Sequence, residues 1–179
     1  MTPQFPSGFS ANSLQNKSIH FIGIGGCGMS GLALLIARRG AIVQGTDSNE
    51  SAVTQALTRD GIEVSFEQDG SFIPQQVDLI VHSAAIPPDH PEIIAGDARN
   101  IPIVSYSQML GLVQSQHTSV CIAGTHGKST TVSILSSILL HTQYDPSFIV
   151  GANCDQIGGS CRVGATHVPS GILKGEKGI

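Results

Sequence analysis

Short apolar runs alternate with longer amphipathic stretches over most of the chain. A short apolar run bounded by turn residues predicts a buried strand, and apolar positions that repeat with the helical period predict a helix. Strands and helices that take turns in this way form a parallel sheet covered by helices, so the pattern predicts an α/β fold. The predicted strands cover residues 19–24, 41–45, 62–66, 77–82 and 103–104, and the predicted helices cover 29–39, 51–59, 91–99 and 106 to about 114, the last with a capping-box pattern at Ser105 and Gln108.

The pattern resumes after a short polar segment at residues 114–119. A predicted strand at 120–123 is followed by a predicted helix from 129 to about 141. We therefore place a domain boundary between residues 116 and 117. Residues 1–17 carry prolines, a glycine and several serines and asparagines without periodicity, which predicts a flexible leader.

Composition and charge argue against several kinds of partner and site. The formal net charge is −4 and the nine basic residues are scattered, which argues against a nucleic-acid-binding face. The four cysteines form no C-x-x-C pair and the N-terminus lacks a signal segment, so we expect a cytoplasmic protein. No apolar run approaches the ~20 residues that span a bilayer, so we expect no membrane insertion. The seven histidines lack the spacing of a metal site.

The first candidate site is the turn Gly23-Ile24-Gly25-Gly26-Cys27-Gly28, called the glycine loop below, which joins the first predicted strand to the first predicted helix. Glycines there permit positive φ and let a diphosphate approach the backbone and the helix N-terminus. Asp47 ends the next strand, where a dinucleotide-binding domain places an acid on a ribose hydroxyl. Three interpretations of this turn remain open. It binds some nucleotide diphosphate, it binds NAD in particular, or its glycines serve packing alone.

The second candidate site is Gly124-Thr125-His126-Gly127-Lys128-Ser129-Thr130, called the lysine loop below. A predicted strand, this turn and a predicted helix follow in the order that a phosphate-binding loop requires. Backbone N–H groups of residues 127–130 would face phosphate oxygens, Lys128 would reach the β- and γ-phosphates, and Ser129 or Thr130 would bind Mg²⁺. The strict eight-residue pattern is not met, because its first glycine would fall at Ile122.

Simpler interpretations stand beside these. Ser129 could cap the helix with Gly127 as a turn residue, although a lysine in the first helical turn opposes the macrodipole and favours a bound anion. His126 either touches a phosphate or substrate, or shapes the turn. Ser83 follows a buried strand, at the sheet edge where open α/β sheets bind ligands, or belongs to an ordinary turn.

Four stretches together resemble the Mur ligase family, which builds the peptide of bacterial cell-wall precursors. They are residues 20–31, Asp47 with 50–54, 83–87 and 124–130, and the resemblance covers about 18–151. It implies a Rossmann-like UDP-sugar-binding domain at 18–116 and the first, incomplete part of a P-loop-type ATP-binding α/β domain at 117–179. The UDP-sugar contacts it implies are Gly23, Ile24, Gly25, Gly26, Cys27, Gly28, Met29, Asp47 and Ser83, and the ATP contacts are Gly124, Thr125, His126, Gly127, Lys128, Ser129 and Thr130.

The resemblance also implies an activity. ATP would phosphorylate the carboxylate of UDP-N-acetylmuramate, and the amine of L-alanine would displace phosphate from the acyl phosphate. Lys128 would be the catalytic residue, with Mg²⁺ bound by Ser129 or Thr130. A sister ligase that recycles murein peptides shares much of the pattern, and a non-catalytic nucleotide- or NAD-binding module is the alternative of another class.

Two departures from the family qualify that implication. Ser105-Tyr106-Ser107 stands where relatives commonly carry basic residues. The acids after Thr131 are Asp145, Asp155 and Glu176, none of which ends a hydrophobic strand where a Mg²⁺ ligand is needed. We therefore expect an N-terminal piece of the enzyme that binds the uridine nucleotide and does not ligate.

Overall fold

The computed structural model describes residues 5, 9, 14–115, 117–142 and 144–164. It divides into two compact units, Met1–Cys121 and Ile122–Ile179. The boundary expected between residues 116 and 117 lies inside the first of these units. None of the helices in the described part of the chain is long and apolar enough to cross a membrane.

The first unit is built on a five-stranded parallel sheet, which confirms the predicted α/β fold. The strand order is β3-β2-β1-β4-β5. The chain moves outward from β1 to β3 and then returns to the other side of β1, so the switch point lies between β1 and β4. The strands are β1 Ser18–Ile22, β2 Ile42–Thr46, β3 Glu63–Ser65, β4 Leu79–His82 and β5 Ile103–Ser105.

Three helices connect strands of this unit and a fourth follows β5, and three of the four are capped by the side chain of their N-cap residue. Ser51 and Ser105 form capping boxes with Thr54 and Gln108, and the His90 side chain accepts from the amide of Glu92. These caps satisfy amides that a helix start otherwise leaves without partners. The helices are α1 Cys27–Ala37, α2 Ala52–Arg59, α3 Pro91–Ala98 and α4 Tyr106–Gln114.

At the glycine loop, the predicted end of β1 and the predicted start of α1 each lie two residues too late. β1 was predicted to reach residue 24 and ends at Ile22, and α1 was predicted to begin at residue 29 and begins at Cys27. The physical reason is Gly23, whose φ of +79° ends the extended strand and turns the chain into the helix earlier.

The predicted flexible leader is wrong for its last residues. Leu14 is 1 % exposed, and the backbone at Asn16 and Lys17 bonds to Gly40 and Leu14. Phe9 is also buried, and the Lys17 ammonium lies 5.6 Å from the centre of its ring. Apolar burial therefore attaches this segment to the first unit. Residues 1–4, 6–8 and 10–13 lie outside the described residues.

The second unit contains the helix α5 Lys128–Leu140 and an antiparallel pair of short strands, β6 Phe148–Ile149 and β7 Cys161–Arg162. A single 3₁₀ turn, Asp155–Ile157, lies between those strands. The small core of the second unit consists of Phe148, Val150 and Ile157, with Val132, Leu140 and Cys154 packed against them.

The strand predicted at 120–123 is wrong. These residues have no strand partner among the residues described, and Val120 is 70 % exposed. An apolar run forms a strand only where a neighbouring backbone accepts and donates its hydrogen bonds, and no backbone in the described part of the chain does so here.

Leu14→Ala tests the packing of the supposed leader. Truncating this buried side chain should lower the free energy of unfolding by about 2–5 kcal/mol, because a cavity remains in the core. The matched control is Ile42→Ala at a position that is 61 % exposed, where we expect a loss below about 1 kcal/mol. Urea unfolding of both variants gives the comparison. Equal, small losses would show that Leu14 is not part of the core.

Candidate functional site

One carbonyl group sets the shape of the glycine loop. The oxygen of Thr46, the last residue of β2, accepts from the amides of Gly23 at 2.8 Å and Ile24 at 2.9 Å. The amide of Gly26 then donates to the carbonyl of Gly23 at 3.3 Å, which closes the turn. The loop is therefore pinned to the carboxyl edge of the sheet before α1 begins.

The Asp47 carboxylate also holds the glycine loop in place. Its Oδ2 accepts from the amide of Gly25 at 2.8 Å, and its Oδ1 accepts from the amide of Asn49 at 3.3 Å. A Cβ at Gly25 would lie 2.9 Å from both Asp47 Oδ2 and Thr54 Cγ2, so a side chain does not fit there. Each carboxylate oxygen keeps lone-pair capacity for a ligand hydroxyl, but the contacts present make Asp47 a support of the loop.

The N-termini of α1 and α5 differ from those of α2, α3 and α4. Their N-cap residues are Gly26 and Gly127, and no side chain of the described residues caps either helix. Amides in the first turn therefore point outward at the positive end of the helix dipole, which is the arrangement that binds phosphate. The two sites predicted from the sequence coincide with these two helix ends.

The residues predicted to form the site at the glycine loop differ in their exposure to solvent. Gly26 and Cys27 are exposed and Gly28 is half-buried, so their backbone is accessible to a ligand. The side chains of Ile24 and Met29 are buried and pack into the core.

Ser83 lies next to the glycine loop at the switch point of the sheet. Its amide donates to the carbonyl of Ile22 at 3.1 Å, and a Cβ at Gly23 would lie 3.2 Å from the Cβ of Ser83. The Ser83 hydroxyl accepts from the amide of Ala85 at 3.3 Å. The structure thus brings Gly23, Asp47 and Ser83 to one edge of the sheet, where open α/β folds bind ligands.

Tyr106 lies against the glycine loop, a contact that the sequence analysis did not predict. A Cβ at Gly28 would lie 2.7 Å from its Oη and 2.9 Å from its Cζ, so the ring covers the first turn of α1. Burial raises the pKa of the Tyr106 hydroxyl above its ordinary value. Two signals in the sequence pointed to this segment: the capping box at Ser105, which makes Tyr106 the first residue of α4, and the absence of the family's basic residues at Ser105-Tyr106-Ser107.

The lysine loop folds back on itself. Gly127 has a φ of +74°, which glycine adopts without strain, and α5 begins at the next residue. Lys128 Nζ donates to the carbonyls of Gly124 at 2.6 Å and Thr125 at 3.2 Å. This contact places a positive charge over the loop, and the ammonium is exposed. The alternative in which Ser129 caps the helix is wrong, because Gly127 occupies the N-cap position.

The remaining lysine-loop residues show a partial fit to the predicted ligands. His126 and Thr130 are exposed, and Ser129 is half-buried. Uncapped amides and Lys128 fit a phosphate chain. Mg²⁺ generally needs one or two carboxylates besides phosphate oxygens, and the described residues contain no group of three or more His, Cys, Asp or Glu that could hold a metal. The hydroxyls of Ser129 and Thr130 alone do not make that site.

Comparison with known proteins assigns this chain to a family. A family profile described as "Mur ligase family, catalytic domain" matches residues 18–118. The chain belongs to the Mur ligase family. The resemblance drawn from the four motifs is thereby confirmed.

Individual members of the family are also similar. The chain is 45 % identical over 150 residues to a UDP-N-acetylmuramate–L-alanine ligase of Lachnospira eligens, a match that spans 83 % of this chain and 33 % of that protein. It therefore covers about a third of the length of that curated relative.

Two solved structures match as well. The UDP-N-acetylmuramate–alanine ligase of Thermotoga maritima gives a TM-score of 0.76 at 29 % identity, over 82 % of this chain and 35 % of that one. The UDP-N-acetylmuramate:L-alanyl-gamma-D-glutamyl-meso-diaminopimelate ligase of Neisseria meningitides gives 0.76 at 31 %, over 83 % of this chain and 47 % of that one. These similarities to solved Mur ligases show that the first unit of this chain has a Rossmann-like fold.

Gly25→Ala tests the packing of the glycine loop in this Mur ligase chain. Its methyl group would collide with Asp47 and Thr54, so we expect the free energy of unfolding to fall by about 1–3 kcal/mol. Gly26→Ala is the matched control, since its Cβ would lie 3.5 Å from the nearest atom and should cost less than about 1 kcal/mol. Denaturant unfolding measures both. A loss for Gly25→Ala no larger than the control's would contradict the described contacts.

Proposed function

We propose that the glycine loop binds the diphosphate of UDP-N-acetylmuramate. The observation that carries the proposal is the uncapped start of α1, whose exposed amides lie at the switch point of the sheet. A diphosphate there would accept hydrogen bonds from the first turn and interact favourably with the helix dipole. The names of the similar ligases supply the identity of the sugar nucleotide.

Asp47 has a structural role whichever nucleotide binds. Its two carboxylate oxygens accept from the amides of Gly25 and Asn49, so it holds the glycine loop in place. Each oxygen keeps lone-pair capacity for a ligand hydroxyl, so these contacts fit a uridine nucleotide and NAD alike. The preference for a uridine nucleotide comes from the names of the similar ligases.

For the whole protein we propose ATP-dependent ligation of L-alanine to UDP-N-acetylmuramate, a step of peptidoglycan precursor synthesis. ATP would phosphorylate the muramyl carboxylate, and the amine of L-alanine would attack the acyl phosphate and release phosphate. Two named relatives support L-alanine as the second substrate. The free cysteines Cys27, Cys121 and Cys154 are in keeping with a cytoplasmic location.

The lysine loop would hold the phosphates of ATP in that reaction. Uncapped amides of Lys128, Ser129 and Thr130 would face the phosphate oxygens. Lys128 would exchange its contacts with the carbonyls of Gly124 and Thr125 for a phosphate, which neutralises charge that develops during transfer. Mg²⁺ would supply further charge neutralisation in the complete protein, with carboxylate ligands beyond the residues described.

The ligase that attaches a recycled peptide is the second candidate. A solved enzyme of that kind is as similar in fold as the alanine ligase, with a TM-score of 0.76 for each. Both named ligases use UDP-N-acetylmuramate, so the proposal for the glycine loop is the same in either case. The two similar ligases therefore support UDP-N-acetylmuramate as a substrate more directly than they support the amino acid or peptide that is added.

Calorimetric titration of the 179-residue chain with UDP-N-acetylmuramate, UDP and NAD tests the proposal. We expect both uridine nucleotides to bind and NAD not to bind. Gly26→Ala should weaken uridine nucleotide binding about 10-fold, because its methyl group stands on the exposed loop where the diphosphate must approach the amides.

Gly111→Ala is the control for that titration. A Cβ at this exposed position of α4 would meet no atom within 4 Å, so affinity should not change. Tighter binding of NAD than of UDP, or unchanged UDP affinity in Gly26→Ala, would refute the assignment of the glycine loop.

A further inference from the structure

Three polar side chains are buried together against the strands that carry the glycine loop. His20 lies in β1, Thr46 ends β2, and Glu92 lies in the first turn of α3. His20 Nε2 is 2.9 Å from Glu92 Oε1, and the Thr46 hydroxyl donates to Glu92 Oε2 at 2.6 Å. His20, Thr46 and Glu92 are each 0 % exposed.

Stability alone is a poor explanation for this cluster. Removing a carboxylate and an imidazole from water is costly, and apolar side chains of similar volume are often as stable in such places. The neighbouring core of Ile22, Ile73, Ile80 and Ile93 is apolar, and the half-buried Gln44 is a further polar residue on this face of the sheet. A buried polar network in that setting fixes the positions of its members, because each hydrogen bond constrains distance and angle.

Thr46 is the member that links the network to the ligand site. Its side chain bonds Glu92, and its backbone carbonyl accepts the amides of Gly23 and Ile24. The bond to Glu92 restrains the residue whose carbonyl defines the start of the glycine loop. Glu92 is in turn held by His20, so both of its carboxylate oxygens are engaged.

The ring of His20 also lies beside an aromatic ring. The centres of the His20 and Phe72 rings are 6.3 Å apart at an interplanar angle of 58°. Nδ1 is buried and has no hydrogen-bond partner among the described residues, so Nε2 alone makes a polar contact there. With no exposed atom in the cluster, none of the three side chains touches a ligand at the loop.

We propose that His20, Glu92 and Thr46 are positioning residues for the nucleotide site. The network holds the Thr46 carbonyl in the place where it pins Gly23 and Ile24, and so presents the first-turn amides of α1 to the diphosphate. The effect on affinity rests on the proposed function of the glycine loop, whereas the effect on the loop itself does not.

The test compares Thr46→Val, which keeps the shape and removes the hydroxyl, with Thr46→Ser, which keeps the hydroxyl. Thr46→Val should weaken UDP binding about 3- to 10-fold, because it removes the bond to Glu92 and the longer bond that the hydroxyl accepts from Gln68 Nε2 at 3.4 Å. Thr46→Ser keeps the hydroxyl and should stay within about 2-fold of the unmodified chain. Glu92→Gln is a second variant that alters both bonds of the carboxylate with little change of shape, and it should weaken UDP binding as well.

Amide hydrogen exchange supplies a readout that needs no ligand. The amides of Gly23 and Ile24 should exchange faster in Thr46→Val and Glu92→Gln than in Thr46→Ser. Ile80→Val is the control for general destabilisation, since Ile80 is buried in the adjacent strand on the same face as His20. It should lower the melting temperature without changing UDP affinity.

The outcomes separate the two proposals. If Thr46→Val binds UDP as tightly as Thr46→Ser and leaves the two amides equally protected, the network does not position the loop. If Ile80→Val weakens UDP binding as much as Thr46→Val, the effect is one of stability and the proposal is wrong. If the unmodified chain binds no uridine nucleotide, the proposed function fails, and the exchange of the Gly23 and Ile24 amides still decides the role of the network.

Discussion

The carbonyl of Thr46 accepting two amides of the glycine loop is the interaction on which the first unit's site depends. A parallel strand ends with backbone groups that lack a ladder partner, and something must satisfy them. Here the amides of Gly23 and Ile24 do so at 2.8 and 2.9 Å, which turns the chain sharply out of β1. Because Gly23 takes a positive φ at that point, α1 begins at once and its N-terminus lies at the switch point.

The distribution of helix caps separates structural helices from ligand-facing ones. α2 and α4 carry capping boxes, and α3 is capped by His90, so their first turns are satisfied from within the chain. α1 and α5 begin after glycines that offer no side chain. A helix start that is left uncapped in water gives up a stabilising contact of about 1 kcal/mol, which a bound phosphate can replace. The same physical feature therefore marks the glycine loop and the lysine loop.

The sequence predicted local features well and long-range ones poorly. Alternating apolar runs fixed the order of strands and helices in the first unit, and the capping box at Ser105 and Gln108 is present. The strand predicted at 120–123 is wrong because pairing depends on a partner strand that periodicity does not reveal. Leu14 falls in the predicted leader because a single buried leucine produces no periodic pattern in the sequence. Tyr106 and the network of His20, Thr46 and Glu92 depend on contacts between residues far apart in sequence, such as the 72 positions that separate His20 from Glu92.

The proposed role of the glycine loop requires that the amides at the start of α1 meet the diphosphate. Mapping amide chemical shifts of the ¹⁵N-labelled chain during titration with UDP tests this most directly. We expect the largest shifts at Gly26, Cys27 and Gly28, with smaller changes at Gly23 and Ser83. Shifts confined to the lysine loop, or to residues remote from α1, would contradict it.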